Sequence, residues 1–119
     1  MKKLLGVFLV LFCSFGFADA LDVRMDELKK MGKGLILNIE YNKEYPLTVL
    51  VWINNSAWGS LNLGEKEDMI HALANYVKSS YKETGVSKES DYVGVYFRNQ
   101  HGRELANYST WSQSYKIKE

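Results

Sequence analysis

Cysteine is almost absent: the 119 residues hold one, Cys13, inside an apolar stretch near the N-terminus. Once that stretch is set aside, no disulfide, thiol nucleophile or cysteine metal ligand remains. Proline is as scarce, with Pro46 alone, and there are two histidines, His71 and His101. One histidine among acids is a poor ligand set for zinc, which favours more nitrogen or sulfur. An excess of either charge is also missing. The chain carries 15 Lys+Arg against 14 Asp+Glu, and without Lys2, Lys3 and Asp19 of the first 20 residues each total falls to 13. A neutral chain lacks the basic footprint of a nucleic-acid binder, so no nucleic-acid partner is expected. No G-x-S-x-G, H-E-x-x-H or phosphate loop occurs, and neither does an internal repeat or a low-complexity tract.

What is present begins with a three-part N-terminus. Lys2 and Lys3 are followed by an uncharged apolar run from Leu4 to Phe17 and then by Ala18-Asp19-Ala20. This is the pattern of a secretory signal peptide. The run is shorter than the roughly 20 residues a spanning helix needs. Residues 1–20 are therefore expected to be removed, by a cut after Ala20 or after Ala18, since Gly16 and Ala18 also fit the small positions. A lipoprotein cut before Cys13 would need a small residue where Phe12 stands. Small exported animal domains are usually stapled by disulfides. Their absence points to a bacterial envelope, periplasmic or secreted, with no stable membrane insertion after cleavage. An outer-membrane barrel needs at least eight strands of about ten residues, more than this chain supplies. The sequons at Asn54 and Asn107 would matter only in a eukaryotic secretory route.

Residues 21–119 are expected to form one α+β domain of order α-β-β-α-β-β. Leu21, Met25, Leu28 and Met31 recur at helical spacing, and Gly32 and Gly34 end that helix, predicted over Leu21 to Lys33. Leu35 to Asn42 alternates, with Leu35, Leu37, Ile39 and Tyr41 on one face. Leu47 to Asn54 follows as a second strand, and the short link predicts a hairpin. Asn55 to Gly64 reads as a loop carrying Trp58. Glu65 to Glu83 is the strongest helix, with Met69, Ile70, Leu73, Tyr76, Val77 and Tyr81 on one side. Tyr92 to Arg98 is a third strand. A turn at Asn99-Gln100-His101-Gly102 leads to a fourth, Arg103 to about Ser112, which Tyr115 and Ile117 either extend or follow as a tail. The expected architecture is a four-stranded antiparallel sheet packed against the long helix. Its core would be Leu35, Leu37, Ile39, Val49, Val51, Ile53, Val93, Val95 and Phe97 against Met69, Ile70, Leu73 and Val77.

If the helix covers the aliphatic face, the other face carries Asn38, Glu40, Thr48, Leu50, Trp52, Tyr92, Tyr96 and Arg98, with Tyr108 joining from the fourth strand. Tyr, Trp and Arg are the side chains enriched at protein interfaces. They are also residues that strands favour for their own stability. The N-terminal helix is a rival occupant of that face. Trp58 is either tucked onto the core or exposed as an anchor, and Trp111 reads as packing. His71, with Glu67 four residues back and Asp68 beside it, reads as an exposed helical histidine near carboxylates and, as the lesser option, as a general base. His101 suits a turn before glycine. The expectation is a non-enzymatic envelope protein without a cofactor or metal. It would bind another envelope protein, as an inhibitor, immunity-type binder or accessory subunit, through Trp52, Trp58, Tyr92, Tyr96, Arg98 and Tyr108. The alternatives are a small-ligand binder using the same aromatics and a small hydrolase using His71.

Overall fold

The computed structural model describes residues 20–44, 46–88, 91–109 and 114–118. The expected export segment with Cys13 lies outside the described residues as far as residue 19, as does Trp111. Residues 20–31 are helical, and this described stretch is α1. Then come β1 (Ile36–Tyr41), β2 (Leu47–Ile53), α2 (Asn55–Gly59), α3 (Leu63–Glu83), β3 (Val93–Asn99), β4 (Glu104–Ser109) and β5 (Ser114–Ile117). Among the described residues no helix is long and apolar enough to cross a membrane.

The strands form one sheet in the order β1-β2-β3-β4-β5. β1 and β2 pair antiparallel, as do β3 with β4 and β4 with β5. β2 and β3 pair in parallel, with Leu47 opposite Val93 and Ile53 opposite Asn99. The sheet is thus five-stranded and mixed, not four-stranded and antiparallel. Between β2 and β3 lies α3, whose 21 residues travel about 30 Å at the usual rise. That is enough to return the chain to the end where β2 started, and β3 then runs in the same direction. The fifth strand is the segment of Tyr115 and Ile117, which folds back along β4.

Asn55–Gly59, expected as loop, is a short helix. Asn54 caps it, its side chain accepting from the backbone N–H groups of Ser56 and Ala57. α3 begins two residues earlier than the charge pattern suggests, because Asn62 caps it in a reciprocal box with Glu65.

The inward side chains of β2 and β3 make the centre of the core. Val49, Val51, Ile53, Val95 and Phe97 are fully buried, under Ile70, Ala74, Val77 and Tyr81 of α3. Each such aliphatic side chain contributes about 1.5–3 kcal/mol. β1 departs from simple alternation. A bulge between Ile36 and Asn38 turns Ile36 inward together with Ile39 and leaves Leu37 42% exposed. Leu37 is therefore not a core residue, and Leu35 and Met69 are only partly buried. Gly32 serves this arrangement. A Cβ there would lie 2.3 Å from the Cδ1 of Ile36, so only glycine lets Ile36 reach the core.

α1 packs on the same side of the sheet as α3. Leu21, Met25 and Leu28 enter the core, while Met31 is 66% exposed. Arg24 pairs with Glu83 at 2.6 Å, and the Tyr76 hydroxyl donates to Glu27 at 3.3 Å. Asp22 ties the helix to β1 by accepting from the Tyr41 hydroxyl and from Lys43 Nζ at 2.8 Å. Nearby, the Tyr81 hydroxyl donates to the backbone carbonyl of Asn42 at 2.7 Å. Partial burial opposes ionisation of Asp22, but the hydrogen bonds from Lys43 and Tyr41 and the Lys43 charge hold its carboxyl below the ordinary value. Burial, then the Asp22 carboxylate, raise the Tyr41 phenol. Burial also raises Tyr81.

These directions set a pH dependence. The contribution of Asp22 is present above the unfolded carboxyl value of about 4 and fades as pH falls below it. The contributions of Tyr41 and Tyr81 are present below the unfolded phenol value of about 10 and fade as pH rises past it. The urea midpoint is expected to drop on both sides, and the alkaline drop should shrink in Tyr41→Phe, with the other raised phenols, Tyr81, Tyr76 and Tyr115, carrying the remainder. An alkaline limb identical in Tyr41→Phe and the parent would show that this tether does not form.

Candidate functional site

With both long helices on one side, the strand alternation that sends Val49, Val51, Val95 and Phe97 into the core sends their neighbours to the opposite face. The register lines these up across the sheet. Glu40 stands opposite Leu50, Leu50 opposite Tyr96, and Tyr96 opposite Asn107. The next row runs from Asn38 through Trp52 and Arg98 to Glu104. Thr48, Leu50, Trp52, Tyr96 and Asn107 are half-buried, and Asn38, Glu40 and Arg98 are exposed. No described helix lies across this face. A depression of about 320 Å³ opens on it, lined among others by Glu40, Asn42, Thr48, Leu50, Tyr96 and Arg98.

Gly94 shapes the aromatic end. A Cβ at this position would lie 2.9 Å from the Tyr92 hydroxyl and 3.2 Å from Cε2 of Tyr96. The two phenols therefore close over bare backbone, and Tyr92, just ahead of β3, joins the face through this gap. Gly94 sits between Thr48 and Ser109, so small groups flank the tyrosines in this row.

At the other end the charges are organised. The Glu104 carboxylate accepts from Lys118 Nζ at 2.5 Å and from the Asn107 amide at 3.4 Å. Those hydrogen bonds, and after them the charges of Lys118 and Arg98, hold it below the ordinary carboxylate range. Glu104 is thus already engaged by Lys118, and Arg98, exposed, stands opposite Trp52 in the β2–β3 register.

Four of the six residues singled out from sequence come together here: Trp52, Tyr92, Tyr96 and Arg98. The other two do not. Tyr108 stands opposite Val95 on the helix side and is 6% exposed. Trp58 is 4% exposed, tucked into the core by α2 with Lys66 Nζ 5.2 Å from the ring centroid. Its helix is fixed to the β3–β4 turn by Asn99, whose amide donates to Asn55 Oδ1 at 3.1 Å and whose own Oδ1 accepts from the backbone of His101 and Arg103. Gln100 accepts from the Asn55 backbone at 2.8 Å.

The histidines are placed away from this face. The His71 ring meets Tyr108 and Tyr115 edge-on, with centroids 5.5 and 4.7 Å away. Lost solvent and the Glu67 carboxylate, which hydrogen-bonds to it, raise the Tyr115 phenol. Glu67 thus has a partner on β5, and Asp68 is exposed. His101 lies in the turn. Among the described residues no three His, Cys, Asp or Glu side chains are grouped to hold a metal.

Asn107, Glu104 and Gly94 belong to the face and were not singled out from sequence. For Gly94 the signal is the alternation of β3, which sets it between Tyr92 and Tyr96; for Glu104 and Asn107 it is the count along β4. A second bulge, between Phe97 and Arg98 in the β3–β4 pairing, shifts that count by one, so Glu104 and Asn107 share a face although they are three residues apart. No protein-family model, curated protein or solved structure matches this chain.

The two tryptophans should respond differently to truncation. Trp58→Ala is expected to cost about 3–5 kcal/mol in urea unfolding, as for a buried aromatic. Trp52→Ala on the open face should cost less than half of that. Equal losses would mean that Trp52 is also enclosed.

Proposed function

We propose that this chain is an exported bacterial envelope protein that binds another protein through the open face of its sheet and catalyses no reaction. The observation that carries this reading is the grouping of Trp52, Leu50, Tyr96, Tyr92 and Arg98 on the face opposite the helices. Such a set combines large apolar area, low side-chain entropy and a planar cation, the combination that concentrates binding energy at interfaces. The stiff β2–β3 pair beneath them supports the reading further, since rigid anchors lose little freedom on binding. Export is supported by the sequence of residues 1–20, and a periplasmic address by the lack of any cysteine after it. Partners of the inhibitor, immunity or accessory-subunit kind fit a small protein with one such face.

A second reading has its own observation. The depression between Glu40, Thr48, Tyr96 and Arg98 is within the size range of small-ligand sites, and its mix of aromatic, carboxylate and guanidinium suits a polar ring-shaped ligand.

Light crosslinking in the native host, followed by capture through a C-terminal tag from the envelope fraction, tests the first reading. One stoichiometric protein is expected, lost in Trp52→Ala and Tyr96→Ala while both variants keep the parent circular dichroism spectrum. Capture unchanged in both folded variants would rule out this face as the contact. Recovery of a clean monomer would shift the assignment to the small ligand.

A further inference from the structure

The depression on the open face is the small-ligand site of the second reading above, on which this inference rests. Its hydrogen-bonding atoms are already sorted. The Asn42 side-chain amide donates to the Pro46 carbonyl at 3.1 Å and to the Thr48 hydroxyl oxygen at 2.9 Å. Both amide hydrogens are thereby used, and among the described residues nothing donates to Asn42 Oδ1. Thr48 Oγ1 accepts one of these bonds and keeps its own hydrogen to give. Glu40 and Arg98, both exposed, line the depression from β1 and β3. Those strands are two strand spacings apart, about 10 Å, with Leu50 and Tyr96 between and beside them. Tyr96 leans along β3. Its Cε2 and hydroxyl lie 3.2 and 3.3 Å from where a Cβ of Gly94 would stand. A phenol laid down in this way offers ring surface rather than its tip.

The geometry points to a neutral pyranose, as one ring of a glycan, as the ligand of this depression. The C–H groups of a pyranose pack on an aromatic ring, and each of its hydroxyls both donates and accepts. The depression answers both halves of that chemistry. Glu40 and Asn42 Oδ1 accept, while the Thr48 hydroxyl and Arg98 donate. A carboxylate and a guanidinium each engage two neighbouring groups at once. Their charges are equal and opposite, so the ligand need carry none. An anion would meet Glu40 and a cation would meet Arg98. A purely apolar ligand would strip water from these groups and return no hydrogen bond. Trp52 follows Leu50 on the same face of β2, one row farther on, and gives the next ring of the glycan a second aromatic surface.

Amide NMR of the exported protein, titrated with cellotetraose, with N-acetylchitotetraose and separately with the amino acid glycine, tests this. At least one tetrasaccharide is expected to shift amides around Glu40, Thr48, Leu50 and Tyr96, with a dissociation constant in the millimolar range or below. Tyr96→Ala should weaken it about tenfold. Glu40→Ala, at an exposed position that leaves the fold intact, should weaken it as well. Unchanged affinity in both variants would overturn the inference. Shifts from glycine at these residues, with silence to both sugars, would overturn it and leave a small-ligand site standing. Silence to all three probes would overturn both, and the protein-binding reading would still stand or fall by capture from the envelope.

Discussion

Pairing β2 and β3 in parallel obliges the chain to travel back along the sheet before β3 can begin. α3 makes that journey, and it must lie against one face, because its apolar side has nowhere else to be buried. Once it does, the two faces of the sheet cease to be equivalent. Val49, Val51, Val95 and Phe97 are drawn under the helix, and Leu50, Trp52, Tyr96 and Arg98 are turned away from it by the pleat alone. The aromatic face thus follows from the direction of one strand pair.

The remaining elements reinforce this asymmetry. α1 is held beside α3 by Arg24–Glu83 and by the bonds of Asp22 to Tyr41 and Lys43, so it does not reach the open face. α2 is fixed by its Asn54 cap and by the Asn99–Asn55 link, which brings Trp58 under cover. His71 and Tyr108 pack on the helix side between α3 and the last two strands, with Tyr115 edge-on to His71 and exposed. Large aromatic groups are therefore present on both sides, packed among helices on one and arrayed over the sheet on the other.

Most of the secondary structure was legible from the sequence because its signals are local. Hydrophobic spacing marked α1 and α3, and alternation marked β1, β2 and β3. The sheet's mixed character was not legible, since nothing in the pattern of Tyr92 to Arg98 says whether its neighbour runs with it or against it. Leu37 and Tyr108 show a second limit. Alternation puts Leu37 with Ile39, and Tyr108 is expected to join the open face from the fourth strand; bulges at Ile36/Asn38 and Phe97/Arg98 break the count in twos along these strands. A bulge reverses the side of every residue beyond it, yet it leaves little trace in composition. Trp58 stays open between core and anchor for a different reason: its burial depends on Asn54, four residues back, and on Asn99, far along the chain. For the face itself, alternation along β2 and β3 suffices at Trp52, Tyr96 and Arg98, because the irregularity at Phe97/Arg98 places its extra residue in β4.

That the sheet has one enclosed and one open aromatic face is the claim on which the rest stands. Hydroxyl-radical footprinting with residue-level mass spectrometry tests it directly, because oxidation rate follows side-chain access. In the free protein, Trp52 and Tyr96 should oxidise several-fold faster than Trp58 and Tyr81. Protection of Trp52 equal to that of Trp58 would contradict the account, because it would mean that something covers the face left open here.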